Sequence, residues 1–217
     1  MPHEVNAIKS VLITGCSSGI GYATAVGLKE AGYQVFATAR SQSDVERLQN
    51  EGFLSTTLDL DSSESITNAV QYVLDKSGGE LYALFNNGAY GQPGALEDLS
   101  TDALKAQFET NVFGWHELIN QVLPIMRKQG YGRIIQNSSV LGLISLKYRG
   151  AYNASKYAIE GLSDTLRLEL MGSNIHMVLI EPGPVTSSFR KNAYSAFKNN
   201  INYQEGPNSE AYAKMIE

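Results

Sequence analysis

Cysteine and histidine are scarce in this chain of 217 residues, and there is no long apolar run. The single cysteine, Cys16, excludes an intrachain disulfide and suits a reducing compartment. The three histidines, His3, His116 and His176, are scattered without metal-ligand spacing, so no metal site is expected. No apolar run approaches the roughly 18–20 residues that span a bilayer. The amino-terminal stretch MPHEVNAIKSVLITG lacks the basic, apolar and cleavage regions of a signal peptide. A soluble, cytoplasmic chain is the expectation. Positive charge is also in the minority: a net charge of −5 argues against a nucleic-acid partner, because phosphate binding needs a basic face. There is no internal repeat, low-complexity tract or interdomain linker. What is present is ordinary globular composition, 43% hydrophobic and 18% charged, in a length that suits one domain over 1–217.

Short apolar runs alternate with amphipathic stretches, the pattern of a doubly wound α/β fold with a mostly parallel sheet and helices on both faces. Strands are predicted at 10–14, 34–39, 54–58, 81–85, 133–137 and 176–180. Helices are predicted from the glycines after the first strand to about Ala31, where Gly32 stops the run, and at 43–50, 63–76, 102–128 and 151–171. Long connections let each strand return parallel by the right-handed crossover. Residues 188–206 show little periodicity, and 209–217 reads as a short helix. Because this region follows the sixth strand at the carboxyl edge of the sheet, where ligands bind in such folds, 187–217 is expected to be a substrate-loop region.

Thr14-Gly15-Cys16-Ser17-Ser18-Gly19-Ile20-Gly21 joins the first strand to the first helix. Glycines there permit a tight turn and close backbone approach to a pyrophosphate, and the amides of a helix N-terminus supply hydrogen bonds. The second strand ends in Ala39-Arg40, where an NAD site would place a carboxylate for the ribose hydroxyls. Ala39 cannot serve, whereas Arg40 offers a planar fork suited to a phosphate, and Ser18 can donate from the glycine turn. NADP(H) is therefore expected. Asp59 is placed to accept from an adenine amino group, with Leu60 beside it, while Asp61 is expected to cap the helix near Ser62.

Tyr152 and Lys156 are four apart in a helical stretch and share a face. A tyrosine with a reference pKa of about 10 is a poor acid/base at neutral pH, and a nearby ammonium is expected to lower it. Ser139 ends the fifth strand at the same sheet edge as the glycine turn. Asn111 interrupts the apolar spacing of the long helix. Cys16 is read as a small loop residue, Trp115 as a core or dimer-face residue, and Lys147-Tyr148-Arg149 either as lining for a substrate mouth or as a solvated loop.

Taken in order, TGCSSGIG at 14–21, NNGA at 86–89, Asn111, Ser138-Ser139, YNASK at 152–156 and PGPV at 182–185 resemble the short-chain dehydrogenase/reductase family, in its branch with the TGxxxGIG turn and YxxxK pair. The resemblance covers almost the whole chain. It implies a tetrad of Asn111, Ser139, Tyr152 and Lys156. In it Tyr152 exchanges a proton with the substrate oxygen, Ser139 orients that oxygen, Lys156 lowers the tyrosine pKa and binds the nicotinamide ribose, and Asn111 holds a water. It further implies cofactor contacts from Asn87 and Gly88, and from Pro182, Gly183, Val185 and Ser187 around the nicotinamide. In this family an arginine in the place of Arg40 accompanies NADP(H). The implied reaction is hydride transfer between NADP(H) and an aldehyde or ketone. The alternatives are a steroid- or retinol-like alcohol dehydrogenase, resembling relatives with the same strand ends, or a non-catalytic NADP(H) sensor. Two departures stand out: Gly88-Ala89 replaces the usual Ala-Gly, and family members generally continue through a further helix and seventh strand, which points to a truncated chain. Family members usually form dimers or tetramers, so a homodimer or homotetramer is expected.

Overall fold

The computed structural model describes residues 9–216, with side chains through Lys214. His3 and most of the stretch read for a signal peptide lie outside the described residues. The first apolar run forms β1 (Ser10–Ile13) and feeds α1 (Gly19–Glu30). β2 (Gln34–Ala37) and α2 (Gln42–Asn50) follow, then α3 (Ser63–Ser77), β3 (Ala83–Asn86) and α4 (Thr101–Phe108). α5 (Gly114–Gln129), β4 (Gly132–Asn137), α6 (Gly150–Glu169) and β5 (Ile175–Ile180) complete the sheet, and α7 (Phe189–Asn200) and α8 (Ser209–Ile216) lie beyond it.

The five strands are all parallel, in the order β2-β1-β3-β4-β5. Alternation along β1 divides the core. Leu12 joins Phe36, Leu84, Ile134 and Met177 on the face covered by α3 and α5. Val11 and Ile13 join Val35, Ala37, Ala83 and Phe85 on the face covered by α1 and α2. The strand order reverses at β1, whose neighbours are β2 on one side and β3 on the other. The crevice at the carboxyl ends of β1 and β3 is thus the topological switch point, where ligands of such sheets bind.

Three predicted elements differ. The strand expected at 54–58 pairs with β2 only through isolated bridges, Phe36 with Leu54 and Ala39 with Thr57. The Ala37 amide donates to the Leu54 carbonyl at 2.9 Å and the Leu58 amide to the Ala39 carbonyl at 3.0 Å, while the Gln49 side-chain amide holds the Ser55 carbonyl on the side away from β2. The helix expected at 102–128 is broken by a π-turn at Glu109–Phe113. Residues 189–200, read as aperiodic, are the helix α7. Phe197 is its one buried residue, packing with Ala95, Ile201 and Tyr212, so no apolar stripe marks the sequence. Among the described residues no helix is long and apolar enough to cross a membrane, and no group of three or more His, Cys, Asp or Glu side chains is placed to hold a metal.

Candidate cofactor and active site

The turn after β1 is held by its neighbour after β3. Thr14 Oγ1 accepts from the Asn87 and Gly88 amides at 2.9 and 2.8 Å, and Asn87 Nδ2 donates back to the Thr14 carbonyl at 2.9 Å. The two turns approach so closely that a Cβ on Gly15 would lie 2.6 Å from the Gly88 Cα, and one on Gly21 would lie 2.4 Å from Asn87 Nδ2. Gly19 is required for conformation, with φ +63. Ser18, the N-cap of α1, makes no side-chain capping bond, so the first-turn amides face the crevice with no capping side chain across them. Cys16 is fully buried, and burial pushes its thiol up to about 12. It is an inert loop residue, as expected.

Arg40 is exposed and, among the described residues, enters no ion pair. Ala39 before it is buried, and its carbonyl accepts from the Leu58 amide at 3.0 Å. Asp61 does not cap α3. Ser62 does, accepting from the Ser65 amide at 3.3 Å, and Asp61 Oδ1 instead accepts from the Thr110 hydroxyl at 2.6 Å. Serine prevails because its short hydroxyl reaches the amide three residues on, whereas Asp61 stands one residue too early and has a partner from another helix.

At the end of β4 the two serines diverge. The Ser138 hydroxyl donates a short hydrogen bond to Glu160, one turn beyond Lys156 on α6. Ser139 caps a turn of 3₁₀-helix at Val140–Gly142 by accepting from the Leu141 amide at 3.1 Å, and its hydroxyl faces Tyr152. Lys156 is 1% exposed, and its ammonium donates to the Asn137 carbonyl at 2.7 Å. Burial pulls the Lys156 ammonium down to about 7, against the attraction of Glu160. Tyr152 runs opposite to expectation. Burial raises its pKa above the usual tyrosine value, and the Ser139 hydroxyl opposes the rise. Burial acts on both groups, disfavouring the phenolate of Tyr152 and the ammonium of Lys156 that was expected to stabilise it.

Asn111 lies in the π-turn and is fully buried. Its amide donates to the Tyr90 carbonyl at 3.0 Å and to Ser155 Oγ at 3.1 Å, while Oδ1 accepts from the Tyr90 amide at 3.2 Å. The side chain expected to hold a water is thus engaged with protein on both its nitrogen and its oxygen.

Most of the candidate residues line one cavity of about 1270 Å³ at the switch point. Gly15, Ser17, Ser18, Gly19, Ile20, Arg40, Asp59, Leu60, Asn87 and Gly88 bound one part, and Ser139, Tyr152, Lys156, Pro182, Gly183, Val185 and Ser187 the other. Gly21 and Asn111 stand behind the wall and position it.

Residues 9–197 match the family model described as short chain dehydrogenase. The chain belongs to the short-chain dehydrogenase family. It is 49% identical over 184 residues to the uncharacterized oxidoreductase YbbO of Escherichia coli, a match covering 85% of this chain and 68% of that protein. It is 39% identical over 194 residues to retinol dehydrogenase 8 of Bos taurus, covering 85% of this chain and 61% of the relative. A short-chain dehydrogenase from Burkholderia phymatum, solved with NAD, superimposes with TM-score 0.84 at 26% identity, over 96% of this chain and 77% of that one. A variant of the actinorhodin polyketide ketoreductase, solved with NADPH, gives 0.80 at 28% identity, over 96% and 81%.

In this short-chain dehydrogenase several residues of the site carry no sequence signal. Trp115, read as core or dimer face, is core: fully buried, it donates to the Gly88 carbonyl at 2.8 Å and lies under the Lys156 ammonium. Arg47 on α2 donates to the Ser17 carbonyl at 2.8 Å and steadies the glycine turn. Phe189 opens α7 with its ring edge-on to Tyr152, centroids 5.4 Å apart. Tyr90 and Arg149 line the cavity, whereas Lys147 and Tyr148 line a separate groove. All these contacts join residues distant in sequence, so only the Lys147-Tyr148-Arg149 charge run hinted at one of them.

Proposed function

We propose that the chain is an NADP(H)-dependent oxidoreductase that reduces an aldehyde or ketone, with Tyr152 as general acid. The observation that carries this is the convergence of Tyr152, Ser139 and Lys156 on one wall of the cavity that begins at the glycine turn. The residues fit a dinucleotide: Gly15 and Gly21 let the turns after β1 and β3 close on each other, where a Cβ would strike Gly88 or Asn87, and the uncapped start of α1 suits a pyrophosphate. Arg40, without an acidic partner among the described residues, would hold a ribose phosphate. Asp59 and Leu60 would flank the adenine, and Pro182, Gly183, Val185 and Ser187 would bound the nicotinamide, whose contribution when bound is the hydride.

Tyr152, held protonated by burial, donates to the carbonyl oxygen as charge develops there. Ser139 donates to the same oxygen and orients it. Lys156, poised near neutrality, exchanges a proton with the tyrosine side of the site and bonds the ribose. With the Asn111 side chain committed to Tyr90 and Ser155, its role is to hold the π-turn against the Tyr90 segment and α6. The substrate-loop region expected at 187–217 would form the substrate side through α7, which lines the cavity.

A second reading, oxidation or reduction of a steroid- or retinol-like alcohol, is favoured by the apolar wall of Val140, Leu141, Leu146 and Phe189 and by the retinol dehydrogenase relative. NADPH and NADH consumption on panels of aldehydes, ketones and lipophilic alcohols tests both readings. Turnover with NADPH that vanishes in Tyr152→Phe supports the proposal. NADPH binding without turnover on any panel would leave a cofactor sensor instead.

A further inference from the structure

The cavity wall also carries two arginines that the chemistry above does not use. Arg149 is the N-cap of α6, three residues before Tyr152, so the two stand one helical turn apart. Its guanidinium is half-buried and, among the described residues, donates only to the neighbouring Tyr148 carbonyl, at 3.3 Å. Arg190 lies in the first turn of α7, beside Phe189, whose ring meets that of Tyr152. Both arginines line the cavity.

Among the described residues no carboxylate forms an ion pair with either of them. The ion pairs among the described residues are made by Arg47 and Arg167. The only acidic side chains on the cavity wall are Asp59, which follows the segment beyond β2, and Asp61, which accepts from Thr110. Arg149 is held below the ordinary arginine value by burial and then by the positive charge of Arg190, and no acid acts on it. A guanidinium stays charged even so. Two like charges on one cavity wall, the Arg149 guanidinium half-buried there, oppose each other unless an anion lies between them.

The turn presenting Arg149 is built to hold it there. Tyr148 has φ +61, the one positive value among the described non-glycine residues. Its carbonyl accepts from the Gly94 amide at 3.0 Å, and its ring packs on Tyr212 of α8, centroids 5.7 Å apart. The Tyr212 hydroxyl donates to Asp98 at 2.5 Å and accepts from the Ala95 amide at 2.8 Å. A strained backbone conformation secured from three elements is expected where function needs the side chain it positions.

We infer that the substrate carries an anionic group, a carboxylate or phosphate, gripped by Arg149 and Arg190 while its carbonyl lies at Tyr152 and Ser139. A guanidinium pair is the natural fork for either oxyanion. The inference rests on the carbonyl-reducing reading, and the experiment separates the two. Rates are compared for 4-carboxybenzaldehyde, 4-formylphenyl phosphate and the neutral methyl 4-formylbenzoate, and for succinic semialdehyde against its methyl ester. The expected result is a preference of about tenfold or more in kcat/KM for an anion over its ester, weakening at high salt. Carboxylate against phosphate rates then identify which anion the pair fits. In Arg149→Gln and in the exposed Arg190→Gln the ratio of anion to ester should fall toward one. Equal rates in the unaltered chain, or variants that slow anion and ester alike, would overturn the inference. If nothing turns over, the carbonyl reading fails, and calorimetric binding of the same acid and ester decides. Tighter acid binding that both variants lose keeps the anion subsite, and equal binding removes it.

Discussion

The Lys156 ammonium lies 4.4 Å from the centre of the Trp115 ring, whose indole N–H donates to the Gly88 carbonyl at 2.8 Å. One buried aromatic therefore touches both the proton-handling lysine and the turn expected to meet the cofactor. Trp115 offers its π face to the cation and its edge to a carbonyl, which is how a desolvated ammonium is tolerated without an ion pair.

That burial makes stability depend on pH in a definite direction. Lys156 sits at about 7 in the folded chain, against 10.5 for the free side chain. Below pH 7 both states hold the proton, and folding bears the whole cost of burying the charge. Between those values the unfolded chain binds more protons, so stability rises with pH through the window and the cost is gone above it. Lys156→Met should therefore be more stable than the unaltered chain near pH 6, with the advantage shrinking toward about pH 10. Urea unfolding at both pH values measures this, and a constant difference would contradict it.

The two serines at the end of β4 should separate stability from activity. Ser138→Ala leaves Glu160 without its hydroxyl donor and should cost about 1–3 kcal/mol of stability with near-normal rates. Ser139→Ala should lower kcat by about 10²–10³-fold, as loss of a donor to a developing oxyanion does, and should cost about 1 kcal/mol of stability through the lost cap on the Leu141 amide. Thermal unfolding and initial rates on the same two proteins decide it. The reverse pattern would exchange their roles.

Cofactor choice should follow Arg40. Arg40→Ala is expected to weaken NADPH binding by about 10–100-fold, the contribution of a charge-assisted hydrogen bond to phosphate, while NADH affinity changes little. Ala39 is a poor place to install the carboxylate of an NAD site, because it is 1% exposed and buried charge is costly. Fluorescence titration with both cofactors reads the ratio, and an unchanged ratio would remove Arg40 from the phosphate site.

Cys16, the only cysteine, should resist thiol reagents in the folded chain. Its thiol is fully buried and raised to about 12, so thiolate is scarce at neutral pH. Labelling by a disulfide reagent should appear only on unfolding and follow the denaturant curve. Fast labelling of the native protein would mean that the turn opens.

The doubly wound architecture was legible in the sequence because it is written in local periods. Alternation places Val11 and Ile13 on one face of β1 and Leu12 on the other, and the spacing of apolar residues sets α3 and α6. The glycine turn was legible for a similar reason, since close approach and positive φ tolerate few other residues. The order of TGCSSGIG, Ser139, Tyr152 and Lys156 along the chain pointed to the family that the model match then showed. Only the tertiary structure decided what depends on partners far along the chain. The Thr110 hydroxyl draws Asp61 away from the cap, Tyr90 occupies the Asn111 side chain, and the sparse packing of α7 hid a helix that meets the Tyr152 ring. The tyrosine pKa belongs to the same class. Sequence spacing brings an ammonium to the same helix face, but burial governs both groups, lowering the lysine and raising the phenol. Desolvation is set by everything packed around a side chain, and no local pattern encodes it.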